Sequence, residues 1–349
     1  MRNLEKKISR TCFLDLLRII ACFLVIVNHT NSSIFLGSSP DHIRWYISLA
    51  YFFLCKIAVP VFFMISGYLM LTKVDTWKKT FNRFFRILVV LLCGAILYSL
   101  YYNLYVNHNN SLSDIFNKAL NFYKDSPTNA FWYLYAYLAI ILMMPFLQKM
   151  VQSMTRKDYH IFFLLYGVFF RVLPILRHYS DAFTINSNFN LTICGGYVCV
   201  LLIGSYFARF EIKKTRLGFL MALVVLCTMI ALNVILTLLE YKKSSTGYLF
   251  LDNRTFLPII VESVCVFYMA SFLKMSEKIS KAVTFVGSCT FGIYLVSDMT
   301  INFLTPIHTK LREVIHPLSA VLIFEILVFL IGFIITVPLK KIPIVKKYI

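Results

Sequence analysis

The sequence predicts an all-α polytopic membrane protein with about ten transmembrane helices and both termini in the cytoplasm. Three observations predict it. Apolar residues make up 59% of the 349-residue chain and its mean hydropathy is +0.74, well above a soluble domain. Apolar runs long enough to cross a bilayer as helix, about 20 residues each, follow one another from end to end. Lys and Arg collect in alternate connecting segments.

The first run, 12–32, follows a basic stretch (Arg2, Lys6, Lys7, Arg10) that resembles the start of a signal peptide. Arg18 inside the run, with no small-x-small cleavage site after it, predicts a retained span. The second run, 45–71, carries Lys56 and ends in VPVFFMISGYLML. Pro60 should interrupt its hydrogen bonding, and Ser66-Gly67 allow either close backbone approach or a second break. Spans at 87–106 and 130–148 flank a long outer loop, 107–129. Spans at 159–176, 191–208 and 217–239 lead to a second outer loop, 240–254, which contains KKSSTG. Spans at 255–273, 283–305 and 318–338 complete the set. No loop could hold a separate folded domain, so residues 1–349 read as one membrane domain without a fused extracytoplasmic domain. No internal repeat is evident, which weakens an inverted-repeat transporter reading.

With the N-terminus inside, the segments 2–10, 73–86, 149–157, 209–216, 274–281 and 340–347 are cytoplasmic and hold 23 Lys/Arg, against 9 on the other side. That bias sets both termini inside. The net charge of +19 then reads as topology and contact with membrane lipid, not nucleic acid, because no soluble domain remains to present a basic face. The nine cysteines form neither CxxC nor Cys/His spacings and read as small buried apolar residues, with no metal site implied.

The stretch Asp15–His29, DLLRIIACFLVIVNH, carries the first candidate chemistry. Arg18 and His29 are 11 residues apart, about three helical turns plus ~20°, and so share one face ~16 Å apart along the axis. Asp15, three residues before Arg18, can pair with it. Ionisable groups within a bilayer are costly and mark function, although two residues that merely end a span would show the same spacing. Arg83 and Arg86, in TWKKTFNRFFRIL, share a face at the inner surface and form a fork suited to phosphate; positive-inside charge alone would also put them there. FWYLYAYL (131–138) offers Trp132, Tyr133, Tyr135 and Tyr137 either as an interfacial belt or as faces for a sugar. Arg171, Glu262, Asp298 and Glu325 add charge at membrane depth, with Arg171–Glu325 and Lys56–Glu262 as candidate buried pairs. The map is a cationic inner vestibule (Arg18, Arg83, Arg86) and a mixed-charge outer chamber, linked by the first helix.

Taken together and in this order, the motifs resemble the acyltransferase-3 family of integral membrane acyltransferases. Arg18-x10-His29 matches its first-span signature. VPVFFMISGYLM resembles its second-span motif, Arg83-x-x-Arg86 its RxxR, and FWYLYAYL the start of its fourth span. FGIYLVSDM (291–299) resembles a GIYL motif usually followed by His, where this chain has Asp298. Within the family the chain resembles the branch that O-acetylates the enterobacterial common antigen and similar bacterial surface sugars.

The resemblance implies a multi-pass protein of the bacterial inner membrane that moves acetyl from cytoplasmic acetyl-CoA to a hydroxyl of a surface glycan or lipid-linked sugar. Arg18, Arg83 and Arg86 would hold the CoA phosphates or pantetheine, with Asp15 beside them. His29 would deprotonate the acceptor hydroxyl or carry the acyl group transiently, roles for which imidazole, with its ordinarily near-neutral pKa, is suited. Ser66, Gly67, Tyr68, Trp132, Tyr294 and Asp298 would line the acceptor side. Asn28, or backbone groups at a Ser66-Gly67 break, would donate to the oxyanion. A homo-oligomer is compatible with the sequence. A transporter or glycan flippase with a charged central pathway is the alternative class.

Overall fold

The computed structural model describes residues 2–30, 34–35, 37–108, 111–186, 196–243 and 257–349, without the side chains of 2–11, 112, 114, 118 and 243. Cys194, most of the expected 240–254 loop and the leading residues of the expected 191–208 and 255–273 spans lie outside the described residues, as do 31–32 at the end of the first.

The described secondary structure is helical throughout, and the protein is a polytopic membrane protein. Helix α1 runs over Arg2–Thr30, α2 over Ile43–Cys55 and α3 over Ala58–Met70. Helix α4, Trp77–Leu100, continues into a π-turn at Tyr101–Val106; α5 is Leu112–Leu120 and α6 Trp132–Ser153. Helix α7, Arg156–Gly167, passes through a second π-turn, Val168–Val172, into α8, Leu173–Tyr179. Then come α9 (Val198–Arg209), α10 (Arg216–Lys243), α11 (Leu257–Ala270), α12 (Glu277–Gly287), α13 (Thr290–Val314), α14 (Pro317–Leu339) and the short α15 (Pro343–Lys346).

Among the described residues seven helical stretches are long and apolar enough to cross a membrane, and an eighth if α12 and α13 form one broken span. The shorter apolar helices α9 and α11 fall on the two remaining expected spans. The third span departs from expectation at its start. The helix begins at Trp77, with Thr76 accepting from the Lys79 N–H at 3.4 Å, so Arg83 and Arg86 ride on the spanning helix itself.

The second span also differs. Its break lies between α2 and α3 at Lys56-Ile57, and α3 runs unbroken through Ser66-Gly67. Pro60 explains the position, because its missing N–H would have served the Lys56 carbonyl one turn earlier. Gly67 acts in close approach instead. A Cβ there would collide with the Leu201 carbonyl, and a Cβ at Gly204 with the Met64 carbonyl. The two glycines thus let the α3 and α9 backbones touch reciprocally, as small residues do where lipid gives no hydrophobic drive to helix pairing. The described cysteines are buried apart from Cys93 and Cys227, which lie on exposed faces.

The chain forms two compact units, residues 1–73 with 148–287 and residues 74–147 with 288–349. In the first, α1 packs on α2, α3, α11 and α12, and α10 packs on α11. One end gathers Met70 with Gln148 (2.8 Å) and Arg156 with Tyr206 (2.9 Å); the other gathers Trp45 with Tyr241 and His178 with Glu240 (3.3 Å). In the second, α13 packs on α14 and α4 on α5. Lys340 reaches Ser288 (2.7 Å) at one end, and Asn302 reaches Tyr102 (3.1 Å) at the other. Each of these contacts joins segments that the charge bias assigns to one side of the membrane.

Gly67→Ala or Gly204→Ala should lower the thermal midpoint of the purified protein, by about 1–3 kcal/mol of overpacking. Gly167→Ala, where a Cβ meets nothing within 4 Å, should leave the midpoint unchanged or raise it. Equal midpoints for all three variants would contradict the backbone contact.

Candidate active site

The first helix forms the arginine pair that its spacing predicts. Arg18 Nη1 donates to Asp15 Oδ1 at 2.5 Å, with the carboxylate buried and the guanidinium half-buried. The second carboxylate oxygen accepts from the Thr284 hydroxyl at 3.1 Å. Gly287, one turn further along α12, makes this possible. A Cβ there would sit 2.9 Å from Asp15 Cβ and 3.2 Å from the Asp15 carbonyl oxygen, so only glycine lets α12 close on α1. One turn earlier, the Cys12 thiol points at the Ser280 carbonyl (3.9 Å) and Met275 Sδ (3.4 Å). Asp15 is therefore fixed from two helices, and it fixes Arg18. The remaining Arg18 N–H donors have no partner among the described residues.

His29 stands three turns along the same unbroken helix, in its last turn, and is half-buried. Cys22 and Val25, on that face between the two, are 1% and 9% exposed, so the face is covered along its length. Next to His29, Asn28 accepts from the Cys55 thiol at 3.8 Å through its amide oxygen, which leaves the amide nitrogen to donate.

The second-span motif turns inward to packing. Ser66 donates to the Phe62 carbonyl of its own helix at 3.0 Å, and Gly67 faces Leu201. Tyr68 lies edge-on to Phe13 (5.7 Å) and tilted on Phe267 (6.1 Å). With α3 continuous here, no unpaired N–H group arises at Ser66-Gly67, and the backbone oxyanion donor expected there is absent. Lys56, at the actual break, is buried with its ammonium 4.0 Å from the Phe52 ring centroid. Glu262 takes Asn233 Nδ2 at 2.8 Å as its partner, not Lys56. Arg171 is held by the hydroxyl and ring face of Tyr166 on its own helix.

In the second unit the arginine fork has a partner that the sequence reading passed over. Asp75, buried just before α4, pairs with both Lys79 (2.5 Å) and Arg83. Its spacing of four to Lys79 was the available signal. Arg86 is exposed and donates to the Tyr348 carbonyl at 3.2 Å, so the two arginines point to different partners. Trp132 is half-buried and edge-on to Tyr133. Tyr294 is a strut, donating to the Ala130 carbonyl at 2.5 Å and packed against Phe131 and Tyr133. Asp298, one turn on, is half-buried, faces Tyr98 and Tyr102, and has no hydrogen-bond or ionic partner among the described residues.

A helical membrane protein with a buried carboxylate holding an arginine three turns from a histidine, all on one helix, carries ionisable groups of the kind that mark a functional site within a bilayer. The chain belongs to the acyltransferase-3 family, whose acyltransferase domain matches residues 13–339, and it is a multi-pass membrane acyltransferase. No curated protein and no solved structure shows a significant match to it.

Asp15→Ala should cost about 1–3 kcal/mol, since a charge-assisted hydrogen bond is lost and Arg18 is left half-buried without a partner. Thr284→Val should cost about 1 kcal/mol, the value of one neutral hydrogen bond. Thermal unfolding of the two purified variants checks the order, and a larger loss for Thr284→Val would contradict it.

Proposed function

We propose that this acyltransferase moves acetyl from cytoplasmic acetyl-CoA to a hydroxyl of a surface glycan or lipid-linked sugar outside the bacterial inner membrane. The observation that carries the reading is Arg18, steadied by Asp15 and with donors to spare, on the same helix face as His29. Family membership supports acyl transfer in general, and the cationic bias of the segments around Arg18, Arg83 and Arg86 supports a polyanionic donor such as CoA at the inner face.

In this reading Arg18 takes a CoA phosphate or the pantetheine carbonyls, and Arg83, steadied by Asp75 as Arg18 is by Asp15, takes another phosphate. Arg86 exchanges the Tyr348 carbonyl for the same ligand. The acetyl thioester reaches His29 once the covered face at Cys22 and Val25 parts. His29 accepts the proton of the sugar hydroxyl as its oxygen attacks the acetyl carbon. Asn28 donates to the developing oxyanion, the carbon–sulfur bond breaks, and the proton passes to the departing CoA thiolate.

The test is CoA release from acetyl-CoA by the protein in lipid nanodiscs with a glycan acceptor. His29→Ala should cut it by about 10²-fold or more, the typical worth of a general base. Arg18→Ala should raise the KM for acetyl-CoA and leave acceptor dependence unchanged. Full activity of a folded His29→Ala protein would overturn the assignment.

A further inference from the structure

At the end of the second unit opposite Ser288 and Lys340, the π-turn Tyr101–Val106 of α4 meets α13. A π-turn inserts one residue into the helix, rotating the side chains that follow it, and such turns often occur at functional positions. Here it brings three tyrosines together. Tyr101 and Tyr105 stack at 5.4 Å with their planes 22° apart, Tyr101 meets Tyr102 edge-on at 5.5 Å, and Tyr105 lies 5.9 Å from Phe303. Tyr105 and Phe303 are 54% and 55% exposed. Asn302 donates to the Tyr102 hydroxyl at 3.1 Å, so that hydroxyl keeps its own proton to give and the Asn302 amide oxygen remains to accept.

An interfacial aromatic belt accounts for Tyr105 and Phe303. It does not account for the carboxylate that faces Tyr102 on the same two segments. Asp298 lies one turn below Asn302, half-buried at membrane depth, where an ionised group without partners is costly. Tyr98 cannot relieve it, because its hydroxyl donates to the Leu295 carbonyl at 3.1 Å and accepts from the Met299 N–H at 3.3 Å. Asp298 therefore has no O–H or N–H donor within hydrogen-bond distance of its side chain among the described residues, on a pair of segments that also present a free tyrosine proton, a free amide oxygen and exposed ring faces. A sugar satisfies all of these together. Its hydroxyls donate to a carboxylate and an amide oxygen, accept from a phenol, and its C–H face lies on an aromatic ring.

We infer that Asp298, Asn302, Tyr102 and the exposed Tyr105–Phe303 faces form a carbohydrate subsite. The identity of its occupant as the acceptor glycan rests on the acyl-transfer reading; the subsite itself does not. It lies on residues 101–105 and 298–303 instead of on the Trp132–Tyr137 aromatics.

Saturation-transfer NMR tests it, with the full-length protein in lipid nanodiscs and the methyl glycosides of glucose, galactose and N-acetylglucosamine as probes. At least one glycoside should receive saturation on its ring protons. Asp298→Ala and Tyr105→Ala should each weaken its binding about tenfold or more, as expected for loss of one hydrogen bond to a charged group or one ring face. Asp298→Asn, which keeps an oxygen acceptor, should weaken it less. Tyr105 is exposed, so its variant decides the matter even where Asp298→Ala fails to fold. No saturation of any probe in the unaltered protein, or binding unchanged in Tyr105→Ala, would overturn the subsite. Binding of radiolabelled acetyl-CoA to the same nanodiscs separates the two ideas. Glycoside binding without acetyl-CoA binding would leave the subsite standing and remove the acyl-transfer reading, and the converse would do the opposite.

Discussion

The constraint on which the rest depends is that a guanidinium at membrane depth must be neutralised without being used up. Asp15 meets it. One carboxylate oxygen takes Arg18 and the other takes Thr284, and Gly287 allows α12 to come close enough for both. An arginine held by one N–H through a buried acid has a fixed direction and still presents the rest of its planar fork. Fixed direction matters more for an anion site than net charge does, because a fork recognises phosphate or carboxylate only in the right plane. The second unit repeats the device at the start of α4, where Asp75 holds Lys79 and Arg83.

The first helix connects this anchored cation to an imidazole about three turns away, the distance that the acyl donor bridges in the proposed reading. The face between them is packed by Cys22 and Val25. In the proposed reading this closed face keeps water and protons from following the helix when no donor is bound, and it makes entry of the thioester a step with its own cost. The other polar groups sit on different elements. Asn28 is oriented through Cys55, whereas Tyr102 of the π-turn faces Asp298 and Asn302 on α13.

Much of this was legible in the sequence, because bilayer thickness and charge bias act on runs of residues that can be counted. The spans, the alternation of basic segments and the Asp15–Arg18 pair are of that kind. What escaped was set by contacts far apart in the chain. Thr284 on Asp15 is 269 residues away, and Asn302 on Tyr102 is 200. No local pattern announces either. Ser66-Gly67 was ambiguous for a different reason, since the residues that permit a helix break also permit two backbones to touch; Leu201 decides for the second. Charge at membrane depth makes Lys56 a candidate partner for Glu262, whereas the amide of Asn233 is the group that donates to it, a neutral donor that charge counting overlooks. The π-turn at Tyr101–Val106 leaves hydropathy unchanged and shifts only which way the side chains face.

The most direct measurement of the central claim is sidedness. Proteoliposomes of uniform orientation, loaded on the cytoplasmic face with acetyl-CoA labelled in the acetyl group, are supplied with glycan acceptor on the opposite face only. The account predicts labelled O-acetyl sugar outside and unlabelled CoA inside. Label transfer only when donor and acceptor share one compartment would contradict it.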